Sequence, residues 1–285
     1  MRSGREMSVV VITRNRCREL ARTLDRLAVD SPEVEVLVVD NASSDGTPAL
    51  LRERHDALRA IRCRRNLGAT ARNVGVDAAD SRFVAFADDD SWWAPGALAR
   101  AARLLDDFPG VGLLAGKVVV EPAGSIDPAS TKMGRALLGR GLDLPGPPIL
   151  GFLACSAVVR REAYRSVGGF SRILQFGGEE QLLAMDLAGA GWGVCYVDSV
   201  VAHHHPSASR SPWPRRWARY RRNDVLTAWL RRPLRVAAAD SAGLVSQAVR
   251  EPALRRVVLE VAVRLPAALA QRRPLPAEIE AQLAP

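Results

Sequence analysis

No uninterrupted apolar run of about 18 residues, the length a membrane-crossing helix requires, occurs in this sequence. The most apolar late stretch, Val257 to Ala270, is broken by Glu260, Arg264 and Pro266, so no span is expected. The four cysteines, Cys17, Cys63, Cys155 and Cys195, are far apart and form no CxxC pair. That spacing indicates neither a zinc site nor a disulfide framework, and reduced, partly buried thiols are the preferred reading. Residues Met1 to Met7 lack the apolar middle of a signal peptide, so a cytosolic location is expected, with Met7 as an alternative start. No internal repeat is found. Also missing is a GxGxxG after the first apolar run: Thr13-Arg14-Asn15-Arg16 stands there, which excludes a dinucleotide-binding dehydrogenase.

What is present begins with 285 residues, 48% of them hydrophobic, enough for one large domain and an appendage. The formal charge of +9 is placed unevenly. Nine arginines (Arg210, Arg215, Arg216, Arg219, Arg221, Arg222, Arg231, Arg232 and Arg235) face the single acid Asp224 between 210 and 235. Trp213, Trp217 and Trp229, half of the six tryptophans, lie among them.

Apolar runs alternate with helical patterns through the first half. Ser8 to Thr13 reads as a strand, and Cys17 to Ala28, with Leu20, Leu24 and Leu27, as a helix. Val34 to Val39 is a second strand, with Asp45-Gly46-Thr47-Pro48 opening a helix behind it. Strands near Leu58 to Cys63 and over Arg82 to Ala87 alternate with helices over Ala69 to Ala79 and Pro95 to Asp107. This rhythm predicts a mostly parallel sheet with helices on both faces. Beyond it, Val111 to Glu121 reads as one or two strands, Pro122 to Pro148 as a long mobile loop and Ile149 to Val159 as a strand. Glu179 to Ala190 reads as helix, Val194 to His203 as the last strands, and the chain from Ser211 onward as basic helices punctuated by proline.

Ligands of open α/β sheets bind beyond the carboxyl ends of the strands. Those positions are polar at each strand of the first half: Thr13, Arg14 and Asn15; Asp40 and Asn41; Asn66 and Gly68; Asp88, Asp89 and Asp90. Any one of them reads equally well as a cap or turn. Four on one rim point to a site.

The set Ser8 to Arg16, Val38 to Thr47, Asn66 to Gly75 and Phe86 to Asp90, followed by Gly168-Gly169-Phe170, Gly178-Glu179-Glu180 and Val200 to His203, resembles the family 2 glycosyltransferases of the GT-A fold. The resemblance covers roughly residues 7 to 206. It implies a GT-A domain over 1–209, with a nucleotide-sugar half at about 7–120 and an acceptor half at about 121–209, followed by a basic helical extension over 210–285. Asp88 and Asp90 take the first and third places of what looks like a DxD motif, where two carboxylates hold Mn²⁺ or Mg²⁺ against a diphosphate; Asp90 or Ser91 as a helix cap is the plainer account of those two. By the same resemblance Asp40 meets the base or ribose, Thr13 floors the pocket, and Arg14, Asn15, Asn66 and Asp89 help bind the nucleotide. Arg72 approaches the ribose or phosphate, with a surface ion pair as an equal alternative.

The family's usual base, an Asp after a Glu at a helix start, corresponds to Glu180, with Glu179 as the alternative and a helix-dipole role as the simpler reading of both. His203 is the expected metal-ligating histidine, ranked above His205, and strand alternation sets His204 on the other face. The implied reaction is a metal-dependent single displacement with inversion, from a UDP, dTDP or GDP sugar to an acceptor hydroxyl on an envelope glycan, a lipid or a natural product. Packing of its tryptophans on the core is the ordinary account of 210–235. A peripheral contact with the inner face of a membrane or an anionic acceptor is the alternative, and nucleic acid is not expected. Two rival classes stand beside this reading. A sugar-nucleotide pyrophosphorylase would need a Gly-rich phosphate loop that is missing, and a noncatalytic basic module would leave the carboxylates without a purpose.

Overall fold

Met7–Thr13 forms β1, whose seven residues are all buried, as a strand covered on both faces must be. In the computed structural model, which describes residues 6–136, 143–207 and 212–283, β1 lies between two parallel neighbours, β2 (Glu35–Asp40) and β4 (Phe83–Asp88). Its alternate residues feed two cores: Val10 and Ile12 join one cluster, Val9 and Val11 the other. Helix α1 (Cys17–Asp30) buries Leu20, Leu24 and Leu27 as their spacing predicts. Helix α2 (Thr47–Glu53) carries its proline in the first turn, and β3 (Arg59–Arg62) closes this edge parallel to β2. Helix α3 (Ala71–Ala78) approaches β1 so closely that a Cβ on Gly75 would stand 2.3 Å from Val10 Cγ1; only glycine fits there.

The remaining strands are β5 (Ser91–Trp93), β6 (Val111–Val120), β7 (Ser125–Ile126), β8 (Ala157–Arg160) and β9 (Gly193–His204). Among the described residues the sheet runs β3-β2-β1-β4-β8-β6-β9-β5, with β7 on β6. Strands β1 to β4 run parallel to one another, as expected. Beyond β4 the sheet is mixed, because β8 runs antiparallel to both β4 and β6 while β6 and β9 are parallel. Helices α4 (Ala97–Asp107), α6 (Arg161–Ser166) and α7 (Glu179–Gly189) complete this part.

Two segments differ from their sequence reading. The supposed long loop Pro122 to Pro148 holds β7 and helix α5 (Pro128–Gly134), capped by Asp127, whose Oδ1 accepts from the Ala129 amide at 2.8 Å. Asp-Pro is a start signal for a helix, and the Gly and Pro content of the segment concealed it; residues 137–142 of this segment lie outside the described residues. Ile149 to Val159 is strand only from Ala157, because Ala154–Ser156 turns as a short 3₁₀ segment.

The C-terminal region consists of α8 (Trp213–Arg231), α9 (Leu234–Arg250), α10 (Arg255–Ala270) and α11 (Ala277–Ala281). Its interior is continuous with the sheet domain. A third core cluster joins Val225, Leu226 and Leu230 of α8 and Leu244 of α9 to Ile173, Leu174 and Leu182. Trp217 and Trp229 pack against that cluster, as the core-packing account requires, whereas Trp213 is exposed. The expected boundary at 209/210, Arg210 and Ser211 lie outside the described residues. No helix among the described residues is long and apolar enough to cross a membrane.

Candidate active site

The carboxyl ends of β1 and β4, the α3 start, the α7 start and α8 surround one cleft of about 610 Å³. On its floor Thr13 Oγ1 donates to Asp89 Oδ2 at 3.1 Å, and Arg16 NH1 donates to Asp89 Oδ1 at 2.9 Å and Asp90 Oδ2 at 3.2 Å. Burial, only partly offset by Arg16 and reinforced by the neighbouring Asp90 and Asp88 charges, pushes the Asp89 carboxyl up to about 7. Asp90 is buried too. There, burial is outweighed by His204, the Ser207 amide and Arg16, which together hold the carboxyl below its usual range. Neither Asp90 nor Ser91 caps a helix, since α4 starts behind Gly96 and Ser91 lies in β5.

Asp88 is the more open of the three, with 36% of its side chain exposed. It accepts from Arg72 NH2, and Arg72 is only 2% exposed. The surface-pair alternative for Arg72 is therefore overturned: this guanidinium is interior, 5.4 Å from the Phe170 ring, with its Nε and NH1 lacking hydrogen-bond partners. The Asp88, Glu179 and Glu180 charges lie around it and hold its pKa up against the effect of burial.

Glu179 and Glu180 open α7 behind Gly177 and Gly178, whose φ angles of 97° and 84° are in the left-handed region that glycine adopts without strain. Glu179 is buried and accepts from the Gly177 amide. Burial raises Glu179 and raises Glu180 further, because the Glu179 charge adds to it. The two carboxyls are neighbours whose charges oppose each other, so they titrate as a pair. A dipole role alone leaves this pairing, deep in the cleft beside Arg72, without explanation.

The other expected residues divide. Arg14 and Asn66 line the cleft, and Asn66 Oδ1 accepts from the Gly68 amide at 2.9 Å. Asn15 does not line it. Its side chain accepts from the Ser44 amide at 2.7 Å and so joins the loops after β1 and β2. Asp40 is buried below the cleft lining, with Oδ1 accepting from the Ser43 amide at 2.8 Å and Oδ2 without a hydrogen-bond partner, 3.6 Å from Arg62 Nε. Asn41 lines the cleft and ties down the next loop, donating to Gly68 O at 3.0 Å and accepting from the Leu67 amide at 2.6 Å.

His203 is not where the resemblance set it. It stacks on Trp92 at 5.5 Å between ring centroids, and its Nδ1 lies 2.8 Å from Glu121 Oε1. His204 faces the cleft instead, with Nε2 3.4 Å from Asp90 Oδ1. His205 contributes its backbone amide to Asp90 O at 2.8 Å. Alternation along β9 separates 203 from 204, but which face meets the carboxylates depends on β5, whose Trp92 pairs with His203.

Asp127, Cys155, Phe176 and Tyr220 also line the cleft without having been singled out in the sequence, as do Arg216 and Arg219, which were named only within the basic segment whose contact with an anionic acceptor was the alternative. Arg16 was legible, directly after the first strand. The others come from segments read as loop, strand or tail. Among the described residues no group of three or more His, Cys, Asp or Glu side chains converges as a metal cage. Asp88 and Asp90 both line the cleft, and two carboxylates are the donor chemistry that a hard divalent cation of the Mg²⁺ type takes, completing its shell with substrate phosphate and water.

Residues 8–168 match the family described as "Glycosyl transferase family 2", and the chain belongs to that family. It is therefore a glycosyltransferase. Over 292 aligned residues it is 28% identical to the N-acetylglucosaminyl-diphospho-decaprenol L-rhamnosyltransferase of Mycobacterium tuberculosis, covering 88% of this chain and 94% of that one. Among solved structures, S. aureus TarS 1-349 in complex with UDP-GlcNAc matches with a TM-score of 0.60 at 18% identity, over 91% of this chain and 72% of that one. The mannosyltransferase PcManGT from Pyrobaculum calidifontis, in complex with GDP-Man and Mn²⁺, matches with a TM-score of 0.57 at 22% identity, over 99% of this chain and 75% of that one. These likenesses fix the GT-A fold.

Proposed function

We propose that this glycosyltransferase moves a sugar, with inversion, from a nucleoside diphosphate to a hydroxyl of a lipid-linked diphosphate sugar, with Glu180 as the base. The observation that carries it is the placing of the Glu179–Glu180 pair and the Asp88–Asp90 carboxylates in one cleft, with buried Arg72 between them in charge. The near full-length likeness to the rhamnosyltransferase supports the acceptor class. In this reading Asn41 would meet the nucleoside with Asp40 buried behind it, Asp88 and Asp90 would hold Mn²⁺ or Mg²⁺, and Arg14 would meet the diphosphate. A divalent cation bound there supplies positive charge to the departing nucleoside diphosphate. Glu180, ionised, accepts the proton of the attacking hydroxyl; Glu179 accepts from the Gly177 amide, and its charge adds to the basicity of Glu180.

Thermal melts with UDP, dTDP and GDP, each with and without Mn²⁺, test the reading. Stabilisation by one diphosphate that depends on the cation is the expected result; no stabilisation by any of them rejects it.

A lipid-linked acceptor is met at a membrane surface. The expected contact through 210–235 is narrowed, because Arg222 pairs with Glu260, Arg231 with Asp186 and Arg232 with Glu280. The outward side of α10 is the better candidate for a peripheral contact, with Leu259 66% and Val263 79% exposed beyond Arg255 and Arg256. Binding to anionic vesicles that survives Leu259→Glu and Val263→Glu together rejects that face.

A further inference from the structure

Five arginines line the cleft, Arg14, Arg16 and Arg72 on the sheet side and Arg216 and Arg219 on α8. Arg16 and Arg72 are already matched to Asp89, Asp90 and Asp88. Arg216 and Arg219, on the α8 side, line the same cleft, and among the described residues neither forms an ion pair; the pairs of α8 belong to Arg221, Arg222 and Arg231. Positions 216, 219 and 220 share one helical face. That face meets the loop before the Glu pair: a Cβ on Gly177 would lie 3.5 Å from Tyr220 Cδ1 and 3.8 Å from Arg219 Cβ. Arg216 is steered by the Trp213 ring, 5.6 Å from its guanidinium carbon.

We propose that Arg216 and Arg219, with Tyr220, form the seat for the acceptor's diphosphate, separate from the seat for the donor's diphosphate at Asp88 and Asp90. This inference rests on the reading of the acceptor given above. In a lipid-diphosphate sugar the diphosphate is attached one sugar ring away from the hydroxyl that must reach Glu180. An anion seat beside the Glu179–Glu180 loop, rather than beside the strand ends, meets that requirement. Guanidinium groups suit it because they bind phosphate oxygens in a fork. The position is also held firmly. Asn223 donates to Leu174 O and Phe176 O at 3.0 Å each, and Arg222 NH2 donates to Leu174 O at 2.9 Å. These bonds fasten α8 to the very loop that carries the carboxylates, so the spacing between anion seat and base is set by the fold.

The test uses the full chain and geranyl diphosphate, a prenyl diphosphate without sugar, as the probe. Calorimetric titration with this probe is compared with titration by the nucleoside diphosphate that stabilises the wild type in the presence of Mn²⁺. Arg216→Gln with Arg219→Gln should weaken the probe by at least about tenfold, the loss of one or two charge-assisted hydrogen bonds, and leave nucleoside diphosphate affinity within about twofold. Arg215→Gln, the exposed neighbour, should change neither. Unchanged probe affinity in the double variant overturns the proposal, and so does a parallel loss of nucleoside diphosphate, which would assign both arginines to the donor. A wild type that binds nucleoside diphosphate but not the probe also overturns it while leaving the proposed reaction standing. A wild type that binds no nucleoside diphosphate rejects the proposed reaction itself.

Discussion

Asn223, buried at the middle of α8, donates to the Phe176 carbonyl at 3.0 Å and reaches the Leu174 and Gly177 carbonyls with the same amide. A helix of the C-terminal region thus holds the loop from which Glu179 and Glu180 emerge. Asn223→Ala leaves the part-buried Phe176 and Gly177 carbonyls without this donor, while Leu174 O keeps Arg222, so stability should fall by about 1–2 kcal/mol. The activity should fall further than the folded fraction explains, while nucleoside diphosphate affinity holds. Chemical denaturation and steady-state kinetics together check this; loss of stability with normal turnover of the folded enzyme would confine Asn223 to a structural role.

Glu180→Gln keeps size and removes basicity, so kcat should fall by on the order of 10²- to 10⁴-fold with donor affinity retained. Glu179→Gln should cost less. Because burial and the Glu179 charge raise Glu180, the wild-type rate should climb as pH rises through that raised value, and the limb should vanish in the Gln variant. A dead Glu179→Gln beside a near-normal Glu180→Gln moves the base by one residue.

Asp88→Ala and Asp90→Ala should each abolish transfer and the cation dependence of nucleotide binding. His204→Ala, which removes a partner of Asp90, should weaken cation-dependent binding, whereas His203→Ala should change stability alone through Glu121 and Trp92. Titration of Mn²⁺ in the presence of nucleotide separates the two histidines. The reverse pattern would return the metal-ligand role to His203.

Asp89 gives a stability signature. Folded, it keeps its proton up to about pH 7, whereas an unfolded Asp loses it near pH 4. Between those values the unfolded state binds fewer protons, so this residue's contribution to stability declines as pH rises from about 4 to about 7. Asp89→Asn should shrink the fall in melting temperature between pH 5 and pH 8. An undiminished fall assigns it to Glu179 and Glu180 instead.

The sequence by itself determined the parallel strands β1 to β4: strands with both faces apolar must be buried in a parallel sheet, and polar residues directly after them must gather on one rim. Thr13, Asn66 and Asp88, which line the cleft, stand where that rule puts them, whereas the Glu179–Glu180 pair was named only through the family resemblance. Tertiary structure alone decided the rest. Alternation along Val194 to His205 gives two faces but not which of them meets Asp90; the short strand Ser91–Trp93 makes that choice, and three residues are too few to leave a periodic trace. Arg72 carries no mark in the sequence to tell an interior cation from a surface one. Nor does the count of arginines between 210 and 235 reveal that Arg222 and Arg231 are buried in pairs while Arg216 and Arg219 line the cleft. Charge is a property of composition, but its cancellation requires partners far away in the chain, and only folding brings those together.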